Sequence, residues 1–167
     1  MQFEITEQER KNARHPHEIL LINLVTNHIL IFVAILGLAK TYPALLLVVP
    51  AISITILSYL LFRARRALTT APWFEKCHWQ LCRQRSRFFI AMLAIMGLVI
   101  TAVLLVAGGE PKPQHYALGG VGMLPTLLSV LALIVMESDA MHQARQGKLP
   151  DSMIKRFPNP DAKIIEE

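Results

Sequence analysis

Residues 19–39, 43–62, 88–107 and 120–136 form four runs without a single Asp, Glu, Lys or Arg. At a rise of about 1.5 Å per residue, about 20 helical residues cross the ~30 Å hydrocarbon core of a bilayer. A soluble domain would have to cover four such runs on every side, and the rest of a 167-residue chain is too short for that. With 53% hydrophobic residues gathered in this way, the chain reads as an all-α, polytopic membrane protein with four transmembrane helices. Helices satisfy every backbone polar group internally, as lipid demands.

The first two runs are separated only by Lys40, Thr41 and Tyr42, which forces an antiparallel hairpin. The last two form a second hairpin across a Gly- and Pro-rich connection. Pro50 predicts a kink in the second span and Pro125 a bend near the outer end of the fourth. Gly147, followed by Leu149 and Pro150, ends the last helix. The organisation is therefore a tail at 1–18, a four-helix transmembrane domain at 19–147 and a second tail at 148–167. In the first tail, Thr6 and Glu9 have capping-box spacing for a short solvated helix, which Pro16 is expected to break. The first apolar run exceeds the length of a cleaved signal's core and is expected to remain as an anchor.

Orientation follows from the cations. Of the 17 Lys and Arg residues, three lie in the first tail, seven between residues 63 and 87, and five after the fourth span, against Lys40 and Lys112 in the other two connections. The positive-inside rule then puts both termini and the basic connection in the cytoplasm of a bacterial-type inner membrane. A net charge of +5 is explained by this distribution and by anionic lipid, so nucleic acid is not an expected partner.

Within 63–87, a helix starting near Pro72 would place Lys76, Arg83 and Arg87 on one face and Trp73, Phe74, Cys77 and Leu81 on another. This predicts an amphipathic interfacial helix in the central loop, though the same helix can run directly into the third span. Arg63, Arg65, Arg66, Lys76, Arg83, Arg85, Arg87, Trp73 and Trp79 are accordingly expected to contact headgroups or a protein partner.

Polar residues inside a span must find partners or line a cavity. In the first span Asn23, Thr26 and Asn27 form one patch, and His28 points about 100° away from Asn27 on a regular α-helix. Asn23, Asn27 and His28 are the candidates for a cofactor contact, to a quinone or a haem. A haem held by two histidines needs a second imidazole from another subunit, because His28 is the only histidine well inside a span. No cofactor is expected from this chain alone.

No metal site is expected either. His15 and His17 lack a third ligand nearby, and the Cys77–Cys82 pair has neither zinc-like spacing nor a second pair. In a cytoplasmic loop both cysteines should be reduced thiols. Glu137, Asp139 and His142 close the fourth helix; Asp139 and His142 are spaced to pair, and the group can also meet the basic loop across the bundle. Nucleotide-binding motifs and a catalytic set are absent. Gly97 with Thr101, and Gly122 with Thr126, have the small-xxx-small form of closely packed helices.

The leading expectation is a non-enzymatic accessory, assembly or interaction subunit of a membrane complex. A membrane anchor lending a quinone or haem site to another subunit is the alternative, and a small oligomeric transporter or channel a third.

Overall fold

The computed structural model describes residues 1–39, 41–108 and 112–166; Lys40 and the segment 109–111, expected to lie in the two short connections, fall outside the described residues. The chain opens with strand β1 (Gln2–Phe3) and helix α1 (Glu7–Ile22), which continues through a π-helical stretch (Asn23–Ile31) into α2 (Phe32–Leu36). A 3₁₀ turn (Pro43–Leu47) leads into α3 (Val48–Thr70), followed by α4 (Trp73–Ala107), α5 (Pro113–Gln146), a short α6 (Asp151–Arg156) and β2 (Ile164–Glu166). Four helical rods, Glu7–Leu36, Ala44–Thr70, Trp73–Ala107 and Pro113–Gln146, are long and apolar enough to cross a membrane.

Each rod extends beyond its apolar run at the basic end, and the extensions pack on one another. Thr6 caps the first by accepting from the Glu9 amide at 3.3 Å, and Glu7 and Glu9 complement the positive helix start. Pro16 does not break this helix, contrary to the expectation. It lies inside α1, with Ala13, Pro16, His17 and Leu20 all buried. The lost amide hydrogen bond, roughly 3 kcal/mol in an isolated helix, is offset by burial between α4 and α5.

The basic connection is corrected as well. α3 runs on to Thr70, Ala71 and Pro72 make the turn, and α4 then runs unbroken for 35 residues from Trp73 to Ala107. A helix collinear with a span does not lie along a membrane surface, and Phe74, Cys77, Trp79 and Leu81 are buried in protein instead. Pro50 is the third residue of α3, directly after the 3₁₀ turn at Pro43–Leu47. α5 continues through Pro125 to Gly147, which adopts φ 72° and closes the helix as expected.

Side-chain contacts give the directions of packing. Asn23 meets Ser53 and Asn27 meets Val49, so the first rod and α3 run antiparallel. Thr126 bonds the Met92 carbonyl and Arg85 bonds Met136, so α4 and α5 are antiparallel too. Two cores result. One joins Leu20, Leu24, Leu57, Leu60, Trp79, Phe89 and Leu133 near the middle of the bundle. The other gathers Phe3, Ala13, Phe74, Cys77, Ala140, Leu149 and Met153 at the basic end.

This second core is built from segments that read as separate polar tails. β1 pairs antiparallel with β2, Gln2 also bridges Lys148, and Trp73 donates to the Phe157 carbonyl at 2.6 Å. At the opposite end packing is sparse: no residue from 90 to 107 is buried, and Leu105 and Val106 are 77% and 78% exposed. An apolar helix with that much bare surface suits lipid, not water.

Candidate functional site

Where the basic-end extensions meet, α1, α4 and α5 enclose a chain of ionisable groups. His17 Nδ1 lies 2.6 Å from Glu137 Oε2, and His17 Nε2 lies 3.0 Å from His78 Nδ1. Arg85 Nη1 donates to Glu137 Oε1 at 3.1 Å and to the Met136 carbonyl at 2.8 Å. Cys82, one turn of α4 from His78 and Arg85, donates its thiol to the Pro16 carbonyl at 3.3 Å. His17, His78 and Glu137 have no exposed surface, and Cys82 has 1%.

Each member is delivered by helix geometry. His78, Cys82 and Arg85 follow at i, i+4 and i+7 on the inner face of α4. His17 follows Ala13 on the buried face of α1, and Glu137 sits between Leu133 and Ala140 on that of α5.

Charge compensation explains how Glu137 can be buried. A lone carboxylate in this environment would be neutralised, whereas the Arg85 guanidinium and an imidazole N–H satisfy both of its oxygens. Burial first, and then the facing His17, hold His78 well below the ordinary imidazole range, so it is neutral. The Lys148 main chain pulls in the other direction without completing a hydrogen bond, and His78 Nε2 is left without a partner. Burial raises the Cys82 thiol well above its usual range, with Glu137 adding to the effect, so it stays protonated. Cys77, in the neighbouring core, is raised to about 11 by burial.

A ligand atom from each of His17, Cys82 and Glu137 lies within 4.8 Å of the others. Singly these residues gave no metal signal: His17 lacked a third ligand, Cys82 a second cysteine pair. Glu137 was expected, with Asp139 and His142, to be able to meet the basic loop across the bundle, and its bond to Arg85 is such a contact. Asp139 and His142 do not pair with each other. Asp139 accepts from Gln143, and His142 bonds Gln146.

The cofactor candidates of the first span form a second network. Asn23 donates to Ser53 Oγ at 3.2 Å, Asn27 donates to Asn23 and to the Val49 carbonyl, and His28 Nε2 lies 2.9 Å from Ser53 Oγ. His28 thus joins the patch from which a regular helix would turn it away. The π-helical stretch is the reason: its i to i+5 closure brings residues 23 and 28 onto one side. Thr26 is exposed and takes no part. Ser53, from the second span, is the residue that sequence reading missed. The His28 ring packs edge-on against Phe89 at 4.8 Å, and Asn27 Oδ1 is buried without a partner.

The residues expected at headgroups or a partner separate into two groups. Trp79 is 2% exposed and donates to Glu75, with the Arg63 guanidinium 5.5 Å from its ring centre, so it is a core residue and not a surface anchor. Arg85 is committed to Glu137, and Trp73 to the C-terminal segment. Lys76 lies half-buried over Phe157. Arg65, Arg66 and Arg87 are exposed, and Arg83 partly so. Arg83 and Arg87 join Arg156, Gln80, Gln84 and Phe88 around an open groove of about 320 Å³ with no acidic residue in its lining.

The chain matches no protein-family model, no curated protein and no solved structure.

Proposed function

We propose that this chain is a non-enzymatic accessory subunit of a bacterial-type cytoplasmic membrane, with two transmembrane hairpins, both termini inside, and a cationic face that docks on anionic lipid. The observation that carries the reading is the groove of Arg83, Arg87 and Arg156, which begins one residue before the third apolar run at Phe88. In the proposed orientation it lies at headgroup depth, where three guanidiniums and two amides suit a phosphodiester. The nearly bare third span supports the same reading, because its apolar flank is available to lipid and to a neighbouring subunit. The test is native mass spectrometry of the detergent-purified protein with added phosphatidylglycerol. Wild type should retain the lipid in preference to phosphatidylcholine, and R83Q/R87Q/R156Q should lose that preference. Equal retention by the triple variant at low salt overturns the reading.

A second reading, a membrane anchor lending His28, Asn23 and Asn27 to a quinone or haem shared with another subunit, rests on one observation. The buried Asn27 Oδ1 has no partner, next to a half-buried His28. A quinone co-purifying with the wild type but not with His28→Phe supports it; a bare visible spectrum and a quinone-free extract remove it.

A further inference from the structure

The His17–Cys82–Glu137 cluster has a feature beyond charge compensation: in His17 and Glu137, the polar atom that does not face the other is already held. His17 Nε2 is bonded to His78 Nδ1, and Glu137 Oε1 is bonded to Arg85. That leaves His17 Nδ1 and Glu137 Oε2 facing each other, with the Cys82 thiol, which donates to the Pro16 carbonyl, close by: one ligand atom from each of the three lies within 4.8 Å of the others. Metal-ligating histidines are oriented in this way, with the second ring nitrogen fixed by an outer partner, and ligating carboxylates are hydrogen-bonded in turn.

We propose that His17 Nδ1, Cys82 Sγ and Glu137 Oε2 form a binding site for one Zn²⁺ ion. The donor set of one imidazole, one thiolate and one carboxylate suits this borderline-soft cation, whereas Mg²⁺ and Ca²⁺ take oxygen ligands. Two ligands about 2.0 Å from a tetrahedral ion stand about 3.3 Å apart. The His17–Glu137 contact, now 2.6 Å, therefore opens by under an ångström as the proton between them is replaced. Three protein ligands leave the fourth tetrahedral position to water.

Protons balance with a single loss. With Glu137 ionised against Arg85, His17 carries its proton on Nδ1 and accepts from His78 Nδ1. On binding, His17 moves its proton to Nε2 and donates to His78 Nδ1, while His78 carries its own proton on Nε2. That nitrogen is the one buried without a partner beside the Lys148 main chain. Each ring keeps one proton throughout, the Zn–S bond forms as the S–H bond breaks, and the thiol proton goes to solvent. Thiolate and carboxylate offset the two charges of the ion, and with Arg85 the occupied site carries one net positive charge.

The test uses the full chain in detergent, stripped with a chelator and titrated with Co²⁺ as a spectroscopic stand-in for Zn²⁺. One equivalent should bind, with a thiolate-to-cobalt charge-transfer band and the intense visible bands of a four-coordinate ion. One equivalent of Zn²⁺ should displace it. Cys82→Ser, a one-atom change, should abolish the charge-transfer band, and Cys77→Ser should leave it intact. His78→Gln should weaken binding by about 10–100-fold. Circular dichroism identifies any variant that fails to fold, and a Zn²⁺-dependent rise in the wild-type melting temperature provides a readout independent of substitution. No stoichiometric binding, a band that survives Cys82→Ser, or only weak binding of several equivalents without a thiolate band overturns the proposal.

Discussion

His17 Nδ1 and Glu137 Oε2 stand 2.6 Å apart across 120 residues of sequence, with neither side chain exposed. The contact ties α1 to α5 between the two hydrophobic cores, and Arg85 completes it from α4. Removing one member of such a group leaves an uncompensated charge in the interior. Glu137→Ala should therefore destabilise the protein by about 3–5 kcal/mol, measured by denaturant unfolding in detergent. Adding Arg85→Met removes the stranded guanidinium and should restore part of that loss. Single and double variants of equal stability would show that the pair is not coupled.

His78 makes stability depend on pH in a defined direction. Its folded pKa lies well below that of the unfolded chain, because burial and His17 disfavour the charged ring. The unfolded state therefore takes up the proton first as pH falls. This contribution is complete above about pH 6.5 and is lost below it, with a slope of up to ~1.4 kcal/mol per pH unit. Subtracting the melting-temperature profile of His78→Phe from that of wild type isolates the term. The two profiles should converge towards low pH, and parallel profiles would rule it out.

Two glycines end helices in the left-handed region, with different surroundings. At Gly147, φ 72°, an added Cβ would stand 2.8 Å from the Phe3 carbonyl, which belongs to β1. At Gly108, φ 59°, it would meet nothing within 4 Å among the described residues. Both alanine variants incur the conformational cost of about 1–2 kcal/mol. Gly147→Ala should cost more and should also loosen β1, which hydrogen exchange at the Phe3 amide, bonded to the Gly147 carbonyl, would register.

Gly122 and Gly97 form a second such pair, inside the spans. A Cβ on Gly122 would run into the Val99 side chain, while one on Gly97 meets nothing within 4 Å among the described residues. Gly122→Ala should push α4 and α5 apart at a cost of about 1–3 kcal/mol. Gly97→Ala should be neutral, or stabilising by up to ~1 kcal/mol through helix propensity. Thermal unfolding of the two variants in one detergent separates them, and equal losses would mean that the small-residue pattern has no packing role at Gly122.

Which parts of this were legible in the sequence follows from the range of the forces involved. The four rods, their approximate spans, the Thr6 cap and the Gly147 stop are dictated by runs of apolar residues and by local backbone chemistry, and both are written in consecutive residues. The continuity of α1 through Pro16 is not. Local rules favour a break there, and only packing against α4 and α5, supplied by segments more than 60 residues away, outweighs them. The tails read as polar because their few apolar residues, such as Phe3, Leu149 and Met153, are insufficient singly; they become a core only when β1, α6 and the start of α4 converge.

The site divides in the same way. Sequence alone determined that Asn23, Asn27 and His28 need partners in the membrane, since hydrocarbon offers none. It could not place His28, whose direction depends on a π-helical turn that period-3.6 reasoning does not anticipate. It allowed the acidic end of the fourth helix to meet the basic loop, as Glu137 meets Arg85, but it could not bring His17, His78 and Cys82 to that pair, because each looks like a surface residue near the end of a helix. Tertiary structure decided that these ends extend past the apolar runs and pack together. Buried away from water, each group's partner is then whatever the neighbouring helices bring within reach.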